Sequence, residues 1–235
     1  MANVPVPSND FLTIGYVAMS VPGHAFTLFN IYIQTTDCRQ MRMHFCPRDQ
    51  SYRYVTANGK LTDRAVCYRP NIRRGTVVPQ TIWQPAQAGD VQRHVAGLLW
   101  PIFFVRANDV LGATVAQVST ANSAPSDLLD FGNIAPLGGL STTTLCLKWP
   151  GYPEHKKQVE TRNTTGFITV AKLLERIAKF MEKFIQDARN HRNDTNWRVG
   201  PGGMINEHNI RIVGLMHVSR GVWQPILQLD GLTFT

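Results

Sequence analysis

Residues 169–190 read TVAKLLERIAKFMEKFIQDARN, and this stretch decides how the rest of the chain must be arranged. Its apolar side chains recur at steps of three and four residues, which is the spacing of one face of an α-helix. These side chains are Val170, Leu173, Leu174, Ile177, Met181, Phe184 and Ala188. Thr169 precedes them and can cap the first turn with its hydroxyl. A helix of about 20 residues spans roughly 30 Å and needs a surface that covers its apolar face.

Segments rich in β-branched and aromatic residues predict that covering surface. Residues 51–68 form a predicted hairpin, because Asn58-Gly59 is the signal of a two-residue type I′ turn. Pro225 cannot donate to a strand ladder, so the last strand is expected to be an edge or to carry a bulge. Further strands are expected at 11–20, 24–35, 38–46, 101–106, 110–118, 141–149, 209–216 and 222–229.

The order of these elements predicts an α+β fold, an antiparallel β-sheet with one long amphipathic helix packed on a face. Strict alternation of strand and helix is absent, which argues against a doubly wound parallel sheet. We expect a single domain over residues 1–235. The irregular, Pro- and Gly-rich segments 69–90 and 119–140 are the places for an internal boundary, and Asp90 is expected to cap a short helical turn.

Composition indicates a globular, intracellular protein. Hydrophobic residues make up 43% of the chain, and no run approaches the roughly 18 apolar residues that cross a membrane. The first 23 residues contain no Lys or Arg and no long apolar block, so neither a secretory signal nor a transit peptide is expected. Four cysteines are too few for a disulfide scaffold of this length.

The formal net charge of +8 is concentrated in two blocks. Residues 39–74 hold nine Lys or Arg against two acidic residues, and residues 148–198 hold eleven against six. If the fold brings the blocks together, their surface would attract polyanions through counterion release. A solvated surface that keeps the protein soluble is the alternative.

The predicted hairpin mixes basic and aromatic residues, a combination that suits single-stranded nucleic acid. Arginines would contact phosphates and tyrosines would stack on bases, although no RNP-type signature is present. A basic loop tip follows the hairpin. The candidate binding residues are Arg42, Arg53, Arg64, Arg73, Arg74, Tyr52 and Tyr54.

Metal and nucleotide sites are not favoured by the spacing of their usual ligands. Cys38, His44, Cys46 and Cys67 are zinc-type ligands, but they lack the C-x2-4-C knuckle. The glycines at 200–203 match no phosphate-binding pattern and indicate a tight turn. We therefore predict no metal and no cofactor.

Catalysis is left open by the sequence. His217 and Ser219 fall on one side of a predicted strand, and His208 lies nearby. A triad would need a third group, and no G-x-S-x-G elbow is present. His208, His217 and Ser219 are the catalytic candidates, with His155 and Glu207 as further acid–base groups.

Several short motifs that contain tryptophan, proline and glycine occur over about residues 141–229. They are WPGYP at 149–153, ITVAK at 168–172, WRVGPGG at 197–203, HVS at 217–219 and VWQP at 222–225. In this order they resemble a family of intracellular proteins from mushroom-forming (basidiomycete) fungi. The resemblance implies a fungal protein of the cytoplasm or nucleus. It implies no activity, so no catalytic residue follows from it.

The leading hypothesis is a non-enzymatic intracellular binding protein with a basic surface for nucleic acid or another polyanion. An acidic protein is the other expected partner, and no membrane association is expected. One alternative is an enzyme with a His/Ser site near the C-terminal strands. Another is a self-associating structural protein that pairs through a sheet edge such as 222–229.

Overall fold

The computed structural model describes residues 11–13, 15–16, 42–56, 58–82, 90, 94, 97–191, 193, 195–200 and 202–234. The chain divides into two compact units. The first contains Met1–Pro70, Thr81–Pro101 and Met216–Arg220, and the second contains Asn71–Gln80, Ile102–Leu215 and Gly221–Thr235. Two of the boundaries fall within the predicted segment 69–90, and none falls within 119–140. A single domain over 1–235 stays a prediction.

The first unit contains an antiparallel sheet in the order β1-β2-β3. Its strands are β1 (Arg42–Cys46), β2 (Ser51–Val55) and β3 (Leu61–Tyr68), which confirms the predicted hairpin. The turn differs from the prediction. Thr56 N–H donates to Lys60 O at 2.7 Å, and only Gly59 of the Asn58-Gly59 pair has a positive φ. The loop is therefore one residue longer than a type I′ turn, which needs two positive φ angles.

The predicted strand at 11–20 is wrong for the residues that can be seen. Leu12, Thr13, Gly15 and Tyr16 are helical, and Gly15 N–H donates to Phe11 O at 2.8 Å. Thr13 explains part of the difference, because its hydroxyl donates to Val66 O of β3. Burial against β3 thus overrides the local strand propensity. The predicted strand at 24–35 lies outside the described residues.

The second unit contains a mixed sheet in the order β4-β10-β11-β6-β7, with β5 also paired to β10, except that residues 216–219 of β10 belong to the first unit. The antiparallel prediction is corrected at one place, because β11 and β6 are parallel, with Trp223 opposite Leu145. A two-stranded ribbon of β8 (Arg162–Asn163) and β9 (Gly166–Phe167) is separate. The sheet strands are β4 (Ile102–Phe103), β5 (Ala113–Thr114), β6 (Thr142–Leu147), β7 (His155–Glu160), β10 (Ile210–Ser219) and β11 (Val222–Leu229).

Strand β11 is an interior strand, which corrects the expectation of an edge. Strand β10 lies on one side of it, and its other side is shared by two neighbours. Strand β6 covers Val222 and Trp223, whereas Val78 N–H donates to Leu227 O further along. Pro225 falls where the neighbour changes, so its missing N–H interrupts no ladder there. Self-association through 222–229 would require one of these neighbours to leave.

The long helix α2 (Val170–Ala188) confirms the prediction from residues 169–190. Thr169 caps it as expected, since its hydroxyl accepts from Lys172 N–H at 3.2 Å. The predicted apolar face is buried throughout, and Ile177 is 0% exposed. Part of the adjoining face is also buried, including Phe180 and Ile185. The α+β fold class is confirmed, and no described helix is long and apolar enough to cross a membrane.

A second helix, α1 (Val115–Ala121), replaces most of the strand predicted at 110–118. Its start is a capping box in which Thr114 and Gln117 satisfy each other's backbone N–H groups. Asn122 ends the helix in the left-handed conformation. The T-x-x-Q pattern was readable in the sequence, but the valines at 115 and 118 gave the stronger strand signal.

Strand β7 was not predicted, because HKKQVE has no apolar alternation. It exists because all six of its residues pair antiparallel with β6, from Leu147 opposite His155 to Thr142 opposite Glu160. It ends the sheet order, so its outer side is an edge within the described sheet. Its lysines suit such an edge, since charged side chains discourage pairing with another strand.

Candidate functional site

The two hairpin tyrosines are interior side chains. Tyr52 is 1% exposed and packs against Phe11 and Phe45, with ring centroids 4.9 and 5.1 Å away. Tyr54 is 2% exposed and stacks on Trp100 at 5.2 Å. No base could reach either ring in this conformation, so their predicted stacking role is corrected to a packing role.

The hairpin arginines do not form one basic face. Arg53 is held by the Asp49 carboxylate at 2.7 Å and by the backbone carbonyl of Asp63. Arg64 instead donates to Pro101 O at 3.1 Å. Ala65 is the residue opposite Arg53, so Arg64, its neighbour, projects from the other side of the sheet. Both guanidinium groups therefore have structural partners within the first unit.

The remaining arginines of the prediction have different environments. Arg42 is the first residue of β1, and its side chain lies outside what can be described. Arg73 is exposed on the turn that follows the hairpin. Arg74 is half-buried and donates to Leu111 O at 3.3 Å, and burial lowers its guanidinium pKa. Of the predicted set, Arg73 is placed where a phosphate could approach.

The catalytic candidates are not arranged for catalysis. His217 is 5% exposed, and its Nδ1 accepts from Leu99 N–H at 2.8 Å. Burial, aided by His94, lowers its pKa to about 4, which makes it a weak base at neutral pH. Ser219 is half-buried at the end of β10, and His208 is exposed beside Glu207 at 3.9 Å. These positions do not favour a triad.

The described zinc-type ligands do not form a metal-binding cluster. Among the residues that the structure describes, no three His, Cys, Asp or Glu side chains lie close enough to hold a metal ion. His44 is exposed, whereas Cys67 is buried and its Sγ accepts from Thr13 N–H at 3.2 Å. Cys46 is half-buried, and burial raises its thiol pKa. Cys38 lies outside the described residues.

A groove of about 300 Å³ opens at the C-terminal end of α2 in the second unit. One wall is the segment 152–155, which carries the chain from β6 into β7. The other wall is the last turn of α2 and the residues after it. The lining residues are Tyr152, Pro153, Glu154, His155, Phe184, Asp187, Ala188, Asn190 and His191.

Long-range hydrogen bonds hold the walls of this groove in place. The Tyr152 hydroxyl accepts from Val199 N–H at 3.0 Å, and Trp149 Nε1 donates to Trp197 O at 2.9 Å. Buried Asn193 donates to Pro150 O at 3.1 Å. Since the partners lie more than 40 residues away, the groove is built by tertiary contacts rather than by a local motif.

Aromatic rings form the inside of the groove. The rings of Tyr152 and Phe184 meet at 77° with centroids 5.6 Å apart, which makes a corner. His155 lies 5.7 Å from Phe184 and 5.0 Å from Phe180. Burial lowers the pKa of His155, and its Nε2 has no hydrogen-bond partner among the described residues. The imidazole is therefore neutral at pH 7.

Two carboxylates line the same groove. Glu154 accepts from the Cys146 thiol at 3.0 Å and from Lys156 Nζ at 2.8 Å, and these bonds lower its pKa. Asp187 accepts from Lys183 Nζ at 2.8 Å, which lowers its pKa. Burial and Glu154 together raise the Cys146 pKa to about 12, so this thiol is not a nucleophile at neutral pH.

A basic surface adjoins the groove. Lys157 lies on the same side of β7 as His155, because the two residues are two apart. The His155 ring contacts Phe180 and Phe184 of α2, so this side of β7 faces the helix that carries Lys183. Burial lowers the pKa of His155, Asp187 opposes that effect, and Lys183 and Lys157 add to it. The stretch 154–191 holds eight basic and five acidic residues.

The groove was not predicted from the sequence, although some of its residues were. His155 was an acid–base candidate, and the lysines of α2 lie in the basic block of residues 148–198. The missing step was β7, since only the pairing of HKKQVE with β6 brings His155 and Lys157 to the helix. The WPGYP word at 149–153 was the available signal, because Trp149 and Tyr152 anchor one wall.

The described residues thus define an α+β protein with an aromatic, carboxylate-lined groove beside a basic surface. No family model, no curated protein and no solved structure matches the chain. The resemblance to fungal proteins over residues 141–229 therefore stays a prediction.

Proposed function

We propose that this chain is a binding protein that holds a polyanion, nucleic acid first among them, on the basic surface of α2 and β7. Along α2, basic residues follow one another at steps of four, three and four, which is one helical stripe. Lys172, Lys179 and Lys183 are exposed, and Arg176 is half-buried. This stripe lies opposite the buried face of the helix.

Strand β7 extends the stripe into a surface. Its Lys157 is exposed on the side of the strand that carries His155, whereas the exposed Lys156 lies on the other side. The observation that carries the proposal is the contact of His155 of β7 with Phe180 and Phe184 of α2, with ring centroids 5.0 and 5.7 Å apart, which brings the lysines of strand and helix onto one surface. Several cations in one patch would release several counterions from a polyanion, whereas isolated lysines would not.

Three cations of this surface have no acidic partner among the residues that the structure describes. Lys156, Lys172 and Lys183 pair with Glu154, Glu175 and Asp187. Within the described part of the chain, Lys157, Arg176 and Lys179 form no ion pair. These three residues are available to phosphates or sulfates, and they are the contacts that we propose.

A salt titration tests the proposal. Labelled single-stranded and duplex oligonucleotides and heparin are titrated with the protein at two salt concentrations. Replacing Lys157, Arg176 and Lys179 together by Ala should lower the log–log salt slope by about 2 to 3, at 0.7 to 0.9 per lost contact. Binding should weaken similarly across base sequences, because backbone contacts carry no base information.

The matched control removes the same charge elsewhere. Lys60, Arg69 and Arg220 are exposed, and their replacement by Ala should leave the slope nearly unchanged. An equal loss in the control would contradict the α2 and β7 surface. A wild-type protein that binds none of the three polyanions at the lower salt would overturn the proposal, and the lysines would then be solvating side chains. Localisation in the cytoplasm or nucleus, where nucleic acid is present, belongs to the same proposal.

A further inference from the structure

The groove at the end of α2 carries negative charge, whereas the surface beside it is basic. The Glu154 and Asp187 carboxylates line the groove, and the last turn of α2 adds the partial negative charge of a helix C-terminus. His155 adds no positive charge, because burial keeps it neutral at pH 7. A positively charged ligand is therefore favoured inside.

The rings narrow the ligand class further. Tyr152 and Phe184 form a corner at 77°, and His155 lies beside Phe184. Electron-rich ring faces attract cations, most strongly where water is excluded. An apolar body would contact the rings while its charge lies near a carboxylate. Hydrated metal ions do not fit this pattern, and no metal-binding cluster exists among the described residues.

From this combination we propose that the groove binds a small organic cation through its alkylammonium group. Asp187 is the main charged contact, because Lys183 occupies its Oδ1 and its Oδ2 has no hydrogen bond among the described residues. Both lysine partners of the groove carboxylates are 54% exposed. Such exposed ion pairs are weak, so a ligand displaces them easily.

A pair of probes that differ only in charge tests this proposal. Choline carries a trimethylammonium group, and 3,3-dimethyl-1-butanol is its neutral isostere. Each is titrated into ¹⁵N-labelled full-length protein at constant ionic strength. Choline should shift the backbone amide NMR signals of Glu154, His155, Asn190 and His191, and these shifts should reach a plateau as choline is added. It should bind about 2- to 30-fold more tightly than the alcohol, the ratio expected from cation–π attraction.

Two substitutions separate charge from ring. Asp187→Asn keeps the side-chain shape and should weaken choline binding several-fold. Tyr152→Leu should weaken it as well, whereas Tyr152→Phe, which keeps the ring and loses only the hydrogen bond from Val199 N–H, should bind choline more tightly than Tyr152→Leu does. Asp130→Asn removes an exposed carboxylate far along the chain and is the matched control. Thermal unfolding of each variant shows whether it has folded.

The choline titration contains no polyanion, so its outcome does not depend on polyanion binding. Equal affinity for choline and its isostere would overturn the proposal, as would shifts that never saturate. If Tyr152→Leu fails to fold, Asp187→Asn carries the decision. An unchanged affinity in Asp187→Asn would also overturn it. The result is independent of the polyanion surface, whose test uses Lys157, Arg176 and Lys179.

Discussion

Arg53 and Lys157 are both basic residues of short strands, yet their environments give them different roles. Arg53 is surrounded by Asp49, backbone carbonyls and the Tyr68 hydroxyl, so its charge stabilises the first unit. Lys157 is exposed on an edge strand and forms no ion pair with the described residues. Residue type alone could not separate the two, because the difference lies in what the neighbouring segments place beside each charge.

Ile177 tests the buried face of α2 at this scale. It is 0% exposed, so Ile177→Asp would place an unpaired carboxylate in the interior. We expect the free energy of unfolding to fall by about 3 kcal/mol or more in denaturant titrations. Lys179 is two residues after Ile177 and is exposed, so Lys179→Glu should change the free energy of unfolding by about 0.5 kcal/mol or less. Ile177→Asp melting like the parent would mean that the helix face is wrongly assigned.

His217 predicts an acid-sensitive stability. Its pKa is about 4 when folded and near 6.5 when unfolded, so the unfolded chain binds the proton more tightly. The stabilisation is complete above pH 6.5 and is lost as the pH falls towards 4, by about 3 kcal/mol in total. Urea unfolding at several pH values measures it. His217→Gln, which keeps an acceptor for Leu99 N–H, should flatten that part of the profile, whereas His208→Gln should not.

At the scale of elements, caps decide where helices begin. Thr169 and Thr114 both stand before helices and both accept a backbone N–H through their hydroxyls. The first was recognised because a long apolar period follows it. The second was missed because α1 has only seven residues and contains valines that also suit a strand. A capping residue thus predicts the start of a helix only where a long helical pattern of apolar residues follows it.

Thr169→Ala should remove the α2 cap. The Lys172 N–H would lose its side-chain acceptor, and we expect a loss of about 1 kcal/mol in the free energy of unfolding. Thr120→Ala, at an exposed position of α1, serves as the control and should have almost no effect. Circular dichroism during chemical unfolding gives both values, and equal stability of the two variants would argue against the cap.

At the scale of the whole molecule, contacts between distant segments hold the second unit together. The Arg211 guanidinium joins the Asp230 carboxylate at 2.6 Å and the Gly112 carbonyl at 2.8 Å. Gln228 donates to Asn71 O and Gly75 O across more than 150 residues. A Cβ on Gly75 would lie 1.7 Å from Leu229 O, so the chain approaches β11 there as only glycine permits.

Asp230→Asn should be costly because it leaves the buried Arg211 charge without its counterion. We expect about 3 kcal/mol of destabilisation by denaturant titration, against a few tenths for the exposed Asp130→Asn. Adding Arg211→Met to Asp230→Asn should recover part of the loss, since no buried charge then remains unpaired. Strictly additive losses in the double variant would show that the two residues are not coupled.

Local patterns along the chain were sufficient for α2, its Thr169 cap, the hairpin of residues 51–68 and the strands at 141–149, 209–216 and 222–229. In each case a clear apolar periodicity or turn sequence favours the same structure as the tertiary packing does. The helical state of Leu12, Thr13, Gly15 and Tyr16, the pairing of β7, the interior place of β11 and the burial of Tyr52 and Tyr54 came from tertiary contacts. The groove at the end of α2 belongs to this second set, because segments far apart in sequence build its walls. Burial and strand pairing across such distances outweigh local propensities of a few tenths of a kcal/mol per residue, and a single sequence does not show which distant segments will meet.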